Sequence, residues 1–305
     1  MTETYAPKLN DIGMVTDAIW KDINADGLED LILVGEYMPV TIFKNTKTSF
    51  EKLEKTGLDT LLGWWEVIAG ADFDSDGDID FIIGNLGANN QYHPSKDRPV
   101  TLIAKDFDNN GNIDPILFAH YRKDFDSDIY ESFPVHFWGD LYGQSTLFRS
   151  KYNSYKHYAS ANLQTLLSEE ELEGAIILTG NYDRSIYAEN LGDGTFSHKA
   201  LPSQAQVAPV NGITILDYDN DGHLDALLIG NDYGNETFIG RYDAQNGLLL
   251  KGDGKGNFTG IESDESGFLV PGDAKSMSLV KNAKSNEHHI VVTQNRGKLL
   301  IFKNK

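Results

Sequence analysis

The chain contains no cysteine, which excludes disulfide bridges, thiolate zinc sites and a cysteine nucleophile. It has no run of about 18 apolar residues and no basic and apolar leader near its first residue, so neither a membrane span nor an export signal is predicted. Basic residues are scarce, with 26 Lys and Arg against 46 Asp and Glu and a formal net charge of -20. Such a surface repels nucleic acid and anionic lipid and attracts cations.

One acidic motif occurs four times in the 305 residues, at 22–30, 72–80, 106–114 and 217–225. Each copy reads Asp-x-Asp/Asn-x-Asp/Asn-Gly-x-x-Asp and lies between two short apolar stretches. Each unit therefore reads as strand, acidic loop, strand. The first aspartates stand at 22, 72, 106 and 217, which makes the intervals 50, 34 and 111 residues. Repeats of about 40 to 50 residues are typical of β-propellers.

Further strand pairs with a turn and an aromatic residue follow most of the loops, at 42–50, 186–196 and 248–258. They are interpreted as the outer strands of blades, and the 29 glycines suit many tight turns. We therefore predict one all-β domain over 1–305, a β-propeller with four-stranded blades. Its five visible units are expected at 12–57, 63–98, 99–200, 208–262 and 272–305.

Two units depart from the common pattern. The third is expected to carry a short, mostly helical insertion at 124–174, where leucines 163, 166, 167 and 172 have helical spacing and Ser168 and Glu171 can form a capping box. The last unit has the sequence AKSMS after Asp273, where an acidic loop was expected. It is therefore predicted to be a blade without calcium.

The repeated loop has the chemistry of a calcium site. Calcium prefers six to eight hard oxygen ligands, and positions 1, 3, 5 and 9 supply carboxylate or amide oxygens while position 7 offers its carbonyl. Position 6 is glycine in all four loops, which permits a sharp turn with positive φ. An EF-hand is excluded because position 12 holds leucine or isoleucine within strand-like runs rather than glutamate. Plain Asp- and Gly-rich turns are the other interpretation, but three to five acids converging in each loop favour a metal.

The loops, the Gly-Asn pairs at 84–85 and 230–231, and the stretch NLGDGTF resemble FG-GAP, or VCBS, repeats such as those of integrin α-subunit propellers. Segments 63–87 and 208–234 are similar to bacterial exported proteins related to cartilage acidic protein, which often carry an ASPIC/UnbV region. The resemblance implies a β-propeller located outside the cytoplasm, at the cell surface or in the periplasm. It also implies up to seven blades in a longer chain with other domains.

The resemblance implies about four Ca²⁺ sites. The side-chain ligands would be Asp22, Asn24, Asp26 and Asp30; Asp72, Asp74, Asp76 and Asp80; Asp106, Asp108, Asn110 and Asp114; and Asp217, Asp219, Asp221 and Asp225. The backbone carbonyls would come from Leu28, Asp78, Asn112 and His223. Asn24 and Asn110 lower the charge of the first and third loops, so weaker binding is expected there.

A second group of residues is a candidate ligand pocket near the insertion. His120, Arg122, His136, Trp138 and Asp140 cluster in the sequence there, together with Tyr121. Loops at the face of a scaffold commonly carry function. No serine-hydrolase, zinc-peptidase, Walker or dinucleotide-binding motif occurs.

Three functions follow from these patterns. The first is an extracellular calcium-stabilised module for adhesion that binds a protein or a polysaccharide, without catalysis, nucleic acid binding or membrane insertion. The alternative is a polysaccharide-processing lyase or hydrolase with its site on the loops at 120–145. The third is a passive scaffold that spaces the other domains of a longer chain.

Overall fold

The computed structural model describes residues 2–236, 239–283 and 287–303. In chain order the strands are β1 Met14–Lys21, β2 Asp30–Met38, β3 Thr41–Asn45, β4 Phe50–Lys52, β5 Gly63–Trp64, β6 Val67–Ala71, β7 Asp80–Gly84, β8 Val100–Lys105, β9 Asp114–Arg122, β10 Tyr130–Pro134, β11 Ile176–Gly180, β12 Ile186–Asn190, β13 Phe196–Ala200, β14 Val210–Leu216, β15 Asp225–Gly230, β16 Leu248–Gly252, β17 Phe258–Ile261, β18 Ala274–Lys281, β19 His288–Gln294 and β20 Leu300–Lys303. The helices are α1 Thr2–Tyr5, α2 Trp138–Gln144, α3 Thr146–Lys151, α4 Tyr155–Tyr158, α5 Leu163–Leu166, α6 Glu169–Leu172 and α7 Ser263–Ser266, with 3-10 turns at Pro7–Leu9 and Ser203–Gln206. The prediction of a mostly β fold is confirmed.

The chain divides into two compact units, and the single domain predicted over 1–305 stays a prediction. The first unit comprises 1–91 and 183–305, and the second comprises 92–182. In the described part of the first unit, four antiparallel sheets have the strand orders β1-β2-β3-β4, with β5 on β2, then β13-β12-β7-β6, β14-β15-β16-β17 and β18-β19-β20. The second unit has one sheet, β10-β9-β8-β11, and the helices α2 to α6.

The four sheets of the first unit meet through their first strands. β1 contacts β6, β6 contacts β14, and β14 contacts β18. The second strands are the most apolar, since every residue of β7 and β15 is buried. Ile82 of β7 and Leu228 of β15 lie in one core cluster with Tyr187 of β12. Continuous apolar strands of this kind fit the interior of a packed stack of sheets, with the more polar first and outer strands on either side.

The outer strands 186–196 lie elsewhere than predicted. The sequence placed them in a third unit at 99–200, but β12 pairs with β7, with Ile186 opposite Ile83 and Ala188 opposite Phe81. β12 also pairs with β13. The second acidic unit is therefore completed by a hairpin that follows it in the chain only after residues 92–182. An insertion leaves this pairing intact because the cost of closing a loop rises only slowly with its length.

The second unit contains strands and helices, and the predicted mostly helical insertion at 124–174 is confirmed, since α2 to α6 all lie within it. The predicted insertion at 124–174 includes β10, which pairs with β9 from Tyr130 opposite Arg122 to Pro134 opposite Phe118. The predicted capping box is confirmed, because Ser168 N–H donates to Glu171 Oε2 at 2.8 Å and Ser168 Oγ accepts from Glu171 N–H at 3.3 Å. Helices and sheet share one core, in which Phe118 and Phe148 are buried.

The last unit keeps the predicted strand pattern, as β18, β19 and β20. The sequence AKSMS forms the start of β18 and is not a loop. The connection between the first two strands of this sheet is 282–287, and residues 284–286 lie outside the described part of the chain. The prediction that this unit lacks calcium therefore stays a prediction.

The two Gly-Asn pairs fasten the ends of the second strands. Asn85 Oδ1 accepts from the backbone N–H groups of Trp64 at 3.0 Å and Leu86 at 2.8 Å. Asn231 Nδ2 donates to the carbonyls of Gln245 and Gly272, both at 2.7 Å. Both asparagines are fully buried, and a buried amide is tolerated when its hydrogen bonds are made.

Among the described residues, none of the helices is long and apolar enough to cross a membrane.

Candidate metal centres

All four acidic loops connect the first and second strands of a sheet and share one hydrogen-bonded skeleton. The position-1 aspartate accepts from the glycine N–H at position 6, at 2.8, 3.1, 2.8 and 3.0 Å in chain order. The side chain at position 5 accepts from the N–H at position 7, at 3.0, 2.9, 2.8 and 2.9 Å. The acidic side chains thus bond the backbone that curves around them, as Asp and Asn commonly do in turns.

Two residues with a left-handed backbone conformation form the turn in each acidic loop. The glycines at position 6 have φ of 82°, 100°, 88° and 91°. A Cβ added at any of them would meet nothing within 4 Å, so glycine is needed for its backbone conformation and not for space. The residue at position 4 is also left-handed, with φ of 55° at Ala25, 66° at Ser75, 58° at Asn109 and 60° at Asn220. Sequence reasoning missed this second position, although two of the four residues are Asn, which adopts this region more readily than most.

The position-9 aspartates are buried beneath the loops, each with at most 1% of its surface exposed. Each accepts from the N–H at position 2, at 3.2, 3.3, 3.1 and 2.8 Å. In three loops the third strand adds a donor: Asn45 N–H to Asp30 at 2.7 Å, Asn190 N–H to Asp80 at 2.9 Å and Gly252 N–H to Asp225 at 2.9 Å. Burial raises the pKa of all four carboxyls, that of Asp80 to about 6.

The loops bring together carboxylates from positions 1, 3 and 9. Oxygens of these three side chains lie within 4.8 Å of one another in each of three triads: Asp72, Asp74 and Asp80; Asp106, Asp108 and Asp114; and Asp217, Asp219 and Asp225. Position 5 is not part of these triads and bonds the backbone instead. The first loop differs because Asn24 replaces the middle carboxylate, and its Nδ2 donates to Asp30 Oδ2 at 3.1 Å. Three Asp triads can therefore hold a metal ion.

The donor set suits a hard divalent cation, since carboxylate oxygens are the ligands such ions prefer. The third loop adds a specific observation. Asp108 Oδ2 accepts from Thr146 N–H at 2.8 Å and Thr146 Oγ1 at 2.9 Å, while its Oδ1 is buried and has no hydrogen-bond partner among the described residues. The Thr146 N–H bond is the largest factor that lowers the pKa of Asp108. An ionised oxygen that is shielded from water and unpaired fits a cation ligand.

The helices of the second unit support the third acidic loop. The sequence did not predict this support. Ser145 is the N-cap of α3, and its hydroxyl also interacts with Asp108 and Asp114. Ser145 and Thr146 are adjacent to each other but far along the chain from the loop. A favourable N-cap residue ahead of a short helix was the only sequence signal, and it gives no indication of which loop the residue contacts.

The residues predicted to form a pocket near the insertion all make contacts within the second unit. His120 Nδ1 lies 2.9 Å from the Pro99 carbonyl, and His136 Nε2 accepts from Leu117 N–H at 3.1 Å. Trp138 Nε1 donates to the Tyr152 carbonyl at 3.2 Å. Arg122 lies 3.5 Å from Asp128, and the backbone N–H of Asp140, in the first turn of α2, donates to the Phe137 carbonyl at 3.1 Å. Their role in ligand binding stays a prediction.

A polar cavity of about 270 Å³ lies in the first unit and was not foreseen from the sequence. Ser203, Gln204, Gln245 and Glu262 contribute to its wall. Gln245 is only 4% exposed, and its Nε2 has no hydrogen-bond partner among the described residues. Gln206 is equally buried, but its Nε2 donates to the Ser185 and Leu201 carbonyls at 2.9 and 3.1 Å. Gln245 therefore has a spare donor where Gln206 has none.

The shared skeleton of the first two loops agrees with a comparison to known families. Residues 22–83 match the FG-GAP-like repeat. The matched stretch of this FG-GAP-like repeat runs from position 1 of the first loop to Ile83 in β7, so it includes two complete acidic loops. No curated protein matches the chain.

Proposed function

We propose that the chain is a calcium-stabilised β-propeller outside the cytoplasm, and that it acts as a binding or adhesion module for a protein or polysaccharide and not as an enzyme. One observation carries the proposal. Three acidic loops converge their carboxylates into triads on one shared backbone skeleton. Carboxylates at this separation repel one another, and a bound dication offsets that repulsion.

The loop positions would have different roles in binding calcium. Positions 1, 3 and 9 would supply carboxylate oxygens, and the left-handed residues at positions 4 and 6 curve the backbone around them. Asn24 would have to turn its Oδ1 towards the ion, because its Nδ2 is a donor and cannot be a ligand. When bound, calcium supplies the positive charge that this group of carboxylates lacks. We therefore propose four sites, with a weaker one in the first loop.

The arrangement of sheets supports the propeller. In the first unit, first strands lie next to one another in the order β1, β6, β14 and β18, as do the inner strands of successive blades in a propeller. The loop repeats and the match to the FG-GAP-like repeat support a relationship to exported FG-GAP propellers, such as those of integrin α-subunits and of relatives of cartilage acidic protein. An external location agrees with this relationship and with loops that bind calcium at the concentrations found outside cells.

The polar cavity supports a role in binding. Its wall includes Ser203, Gln204 and Gln245, and polar side chains of this kind give a site its specificity towards the hydroxyl or carbonyl oxygens of a ligand. Non-catalytic use of the second unit is supported by His120 and His136, whose ring nitrogens lie against backbone groups. A glycan array read with Gln245→Leu tests the cavity, and Gln164→Leu, an exposed glutamine on α5, is the matched control. Loss of binding in Gln245→Leu alone is expected. Equal loss in both variants, or in neither, contradicts a role for the cavity.

Calcium itself is tested by titration calorimetry on chelator-treated protein. We expect several calcium ions per chain, and the loss of one ion in each of the variants Asp74→Asn, Asp108→Asn and Asp219→Asn. Asp264→Asn, which changes an exposed carboxylate of α7, is the matched control and should bind like the wild type. A wild-type protein that takes up no calcium contradicts the proposal.

A further inference from the structure

One residue of the third strand occupies the same place beside three of the acidic loops. Lys44 in β3, Glu189 in β12 and Lys251 in β16 each directly precede the residue whose N–H donates to the position-9 aspartate. That hydrogen bond fixes the strand against the loop, at 2.7, 2.9 and 2.9 Å respectively. The residue before it therefore has an equivalent position in each case, but its charge differs.

Lys251 makes two ion pairs with the fourth loop. Its Nζ pairs with Asp219 Oδ2 and lies 3.2 Å from Asp221 Oδ2. Asp219 also belongs to the carboxylate triad, so the ammonium group and a metal ion would draw on the same carboxylate. The hydrogen bonds to Asp219 and Asp221 raise the pKa of Lys251. About two fifths of the lysine side chain is exposed, and such an ion pair is weak enough for a divalent cation to displace it.

Lys44 is the counterpart in the first loop. Its Nζ lies 3.7 Å from Asp26 Oδ2, a longer contact than that of Lys251 with Asp221. The first loop has already lost one carboxylate through Asn24. A lysine beside a loop with fewer acids leaves less unbalanced negative charge. A bound cation should therefore stabilise this loop less.

Glu189 reverses the charge beside the second loop. Its Oε2 accepts from Ser197 Oγ at 2.9 Å, which holds it on the outer hairpin. The pKa of Asp74 is raised by burial first, and the negative charges of Asp76 and Glu189 add to this effect. The second loop has aspartate at positions 1, 3, 5, 7 and 9, and no lysine stands at the equivalent position of its third strand.

We infer that, in these three loops, the charge of this third-strand residue determines how strongly the loop binds calcium and how much it depends on calcium for stability. Lys44 and Lys251 are internal counter-cations that partly neutralise the first and fourth loops and compete with calcium. Glu189 makes the second loop the site that binds calcium most tightly and depends on it most. The inference rests on the proposed calcium function, because it concerns the same loops.

Charge changes at this position provide the test, with calcium affinity measured by chelator competition and ion number by native mass spectrometry. Lys251→Gln should tighten one site about 5-fold, because the exposed ion pair no longer competes with calcium for Asp219. Glu189→Lys should weaken the tightest site about 10-fold or more, and Glu189→Gln should weaken it by a smaller factor. Lys255→Gln removes an exposed lysine from the same hairpin as Lys251 and should change no affinity.

A double variant assigns the effect to one loop. In an Asp74→Asn background, which removes a triad carboxylate from the second loop, Glu189→Lys should cause no further loss of affinity. Circular dichroism checks that each variant is folded, and Glu189→Gln serves as the readout if Glu189→Lys does not fold. Unchanged affinities in Glu189→Gln and Lys251→Gln, in a wild type that binds calcium, overturn the inference and leave the calcium function intact. A wild type without calcium overturns both.

Discussion

The second and third acidic loops have the same internal skeleton but different external support. In the second loop, buried Asp80 accepts from Asn190 N–H at 2.9 Å and from the Tyr187 hydroxyl at 2.7 Å, both on β12. In the third loop, the strand that would correspond to β12 ends at Pro134, and Thr146 at the start of α3 donates to Asp108 instead. The nine residues of the loop therefore define its shape, while either a strand or a helix can provide the outer hydrogen bonds.

The largest expected effect distinguishes the two buried aspartates. Asp80→Ala leaves Phe73 N–H, Asn190 N–H and the Tyr187 hydroxyl without their acceptor, and should lower the free energy of unfolding by about 3–5 kcal/mol. Asp114→Ala removes the acceptor of Phe107 N–H and the interaction with the Ser145 hydroxyl, one donor fewer than Asp80 has, and should cost about 1–3 kcal/mol. Urea denaturation in chelator measures both without a metal contribution. Equal losses would contradict the difference in support.

Glu66, a half-buried carboxylate outside the loops, provides a contrast with the aspartates that accept several hydrogen bonds. Burial, with added repulsion from Glu36, raises the pKa of Glu66 to about 7. The folded chain therefore holds this proton more tightly than the unfolded chain, and the resulting stability is present at acid pH and is lost as the pH rises from about 4.3, the ordinary value for glutamate, through 7. Glu66→Gln should stabilise the protein by about 2 kcal/mol at pH 8 and have little effect at pH 4. A pH-independent difference in thermal unfolding would contradict this assignment.

The position-6 glycines should behave alike in both loops. Gly77 and Gly111 have φ of 100° and 88°, and neither has an atom within 4 Å of a Cβ. Gly77→Ala and Gly111→Ala should each cost about 1–2 kcal/mol, through backbone strain alone. Gly143→Ala, at a helical glycine with open space around it, is the control and should be neutral or slightly stabilising. A loss in only one of the two loops would show that they do not share a backbone requirement.

The smallest expected effect concerns the helical support of the third loop. Thr146→Val removes one donor to Asp108 but keeps the backbone N–H, and should cost about 1 kcal/mol. Thr146→Ser keeps the hydroxyl and should restore the wild-type behaviour. In Thr146→Val, amide hydrogen exchange should accelerate in residues 106–114 and stay unchanged in residues 72–80. Faster exchange in both loops would indicate a global rather than a local effect.

The acidic loops could be predicted from sequence because their chemistry is local. Asp, Asn and Gly at fixed offsets determine nine consecutive residues, and the strand on either side follows from its apolar pattern. The partner of β12 could not be predicted in the same way, because Asn190 and Asp80 are 110 residues apart. The available signal was indirect. The repeat unit predicted at 63–98 has no outer hairpin of its own, while the hairpin sequence NLGDGTF lies far downstream without an adjacent acidic loop.

The candidate site shows the same limit. Positions 1, 3, 5 and 9 were predicted as side-chain ligands, and the structure groups the carboxylates of positions 1, 3 and 9 in three of the loops, without position 5. Thr146, Lys251 and Glu189 were not predicted because they reach the loops from other elements. Their side chains carry no motif, and only the register of the third strand or the start of α3 brings them to the carboxylates.

Thermal unfolding of the chelator-treated chain, with and without millimolar calcium, tests the central claim most directly. A ligand that binds only the folded state stabilises it by about 2.7 kcal/mol per site at 100 times its Kd, so several sites should raise Tm by about 5 °C or more. Magnesium at the same concentration should raise it less, because it requires a smaller and more regular ligand cage. No rise with calcium, in protein shown by metal analysis to be free of bound ions, would contradict the account.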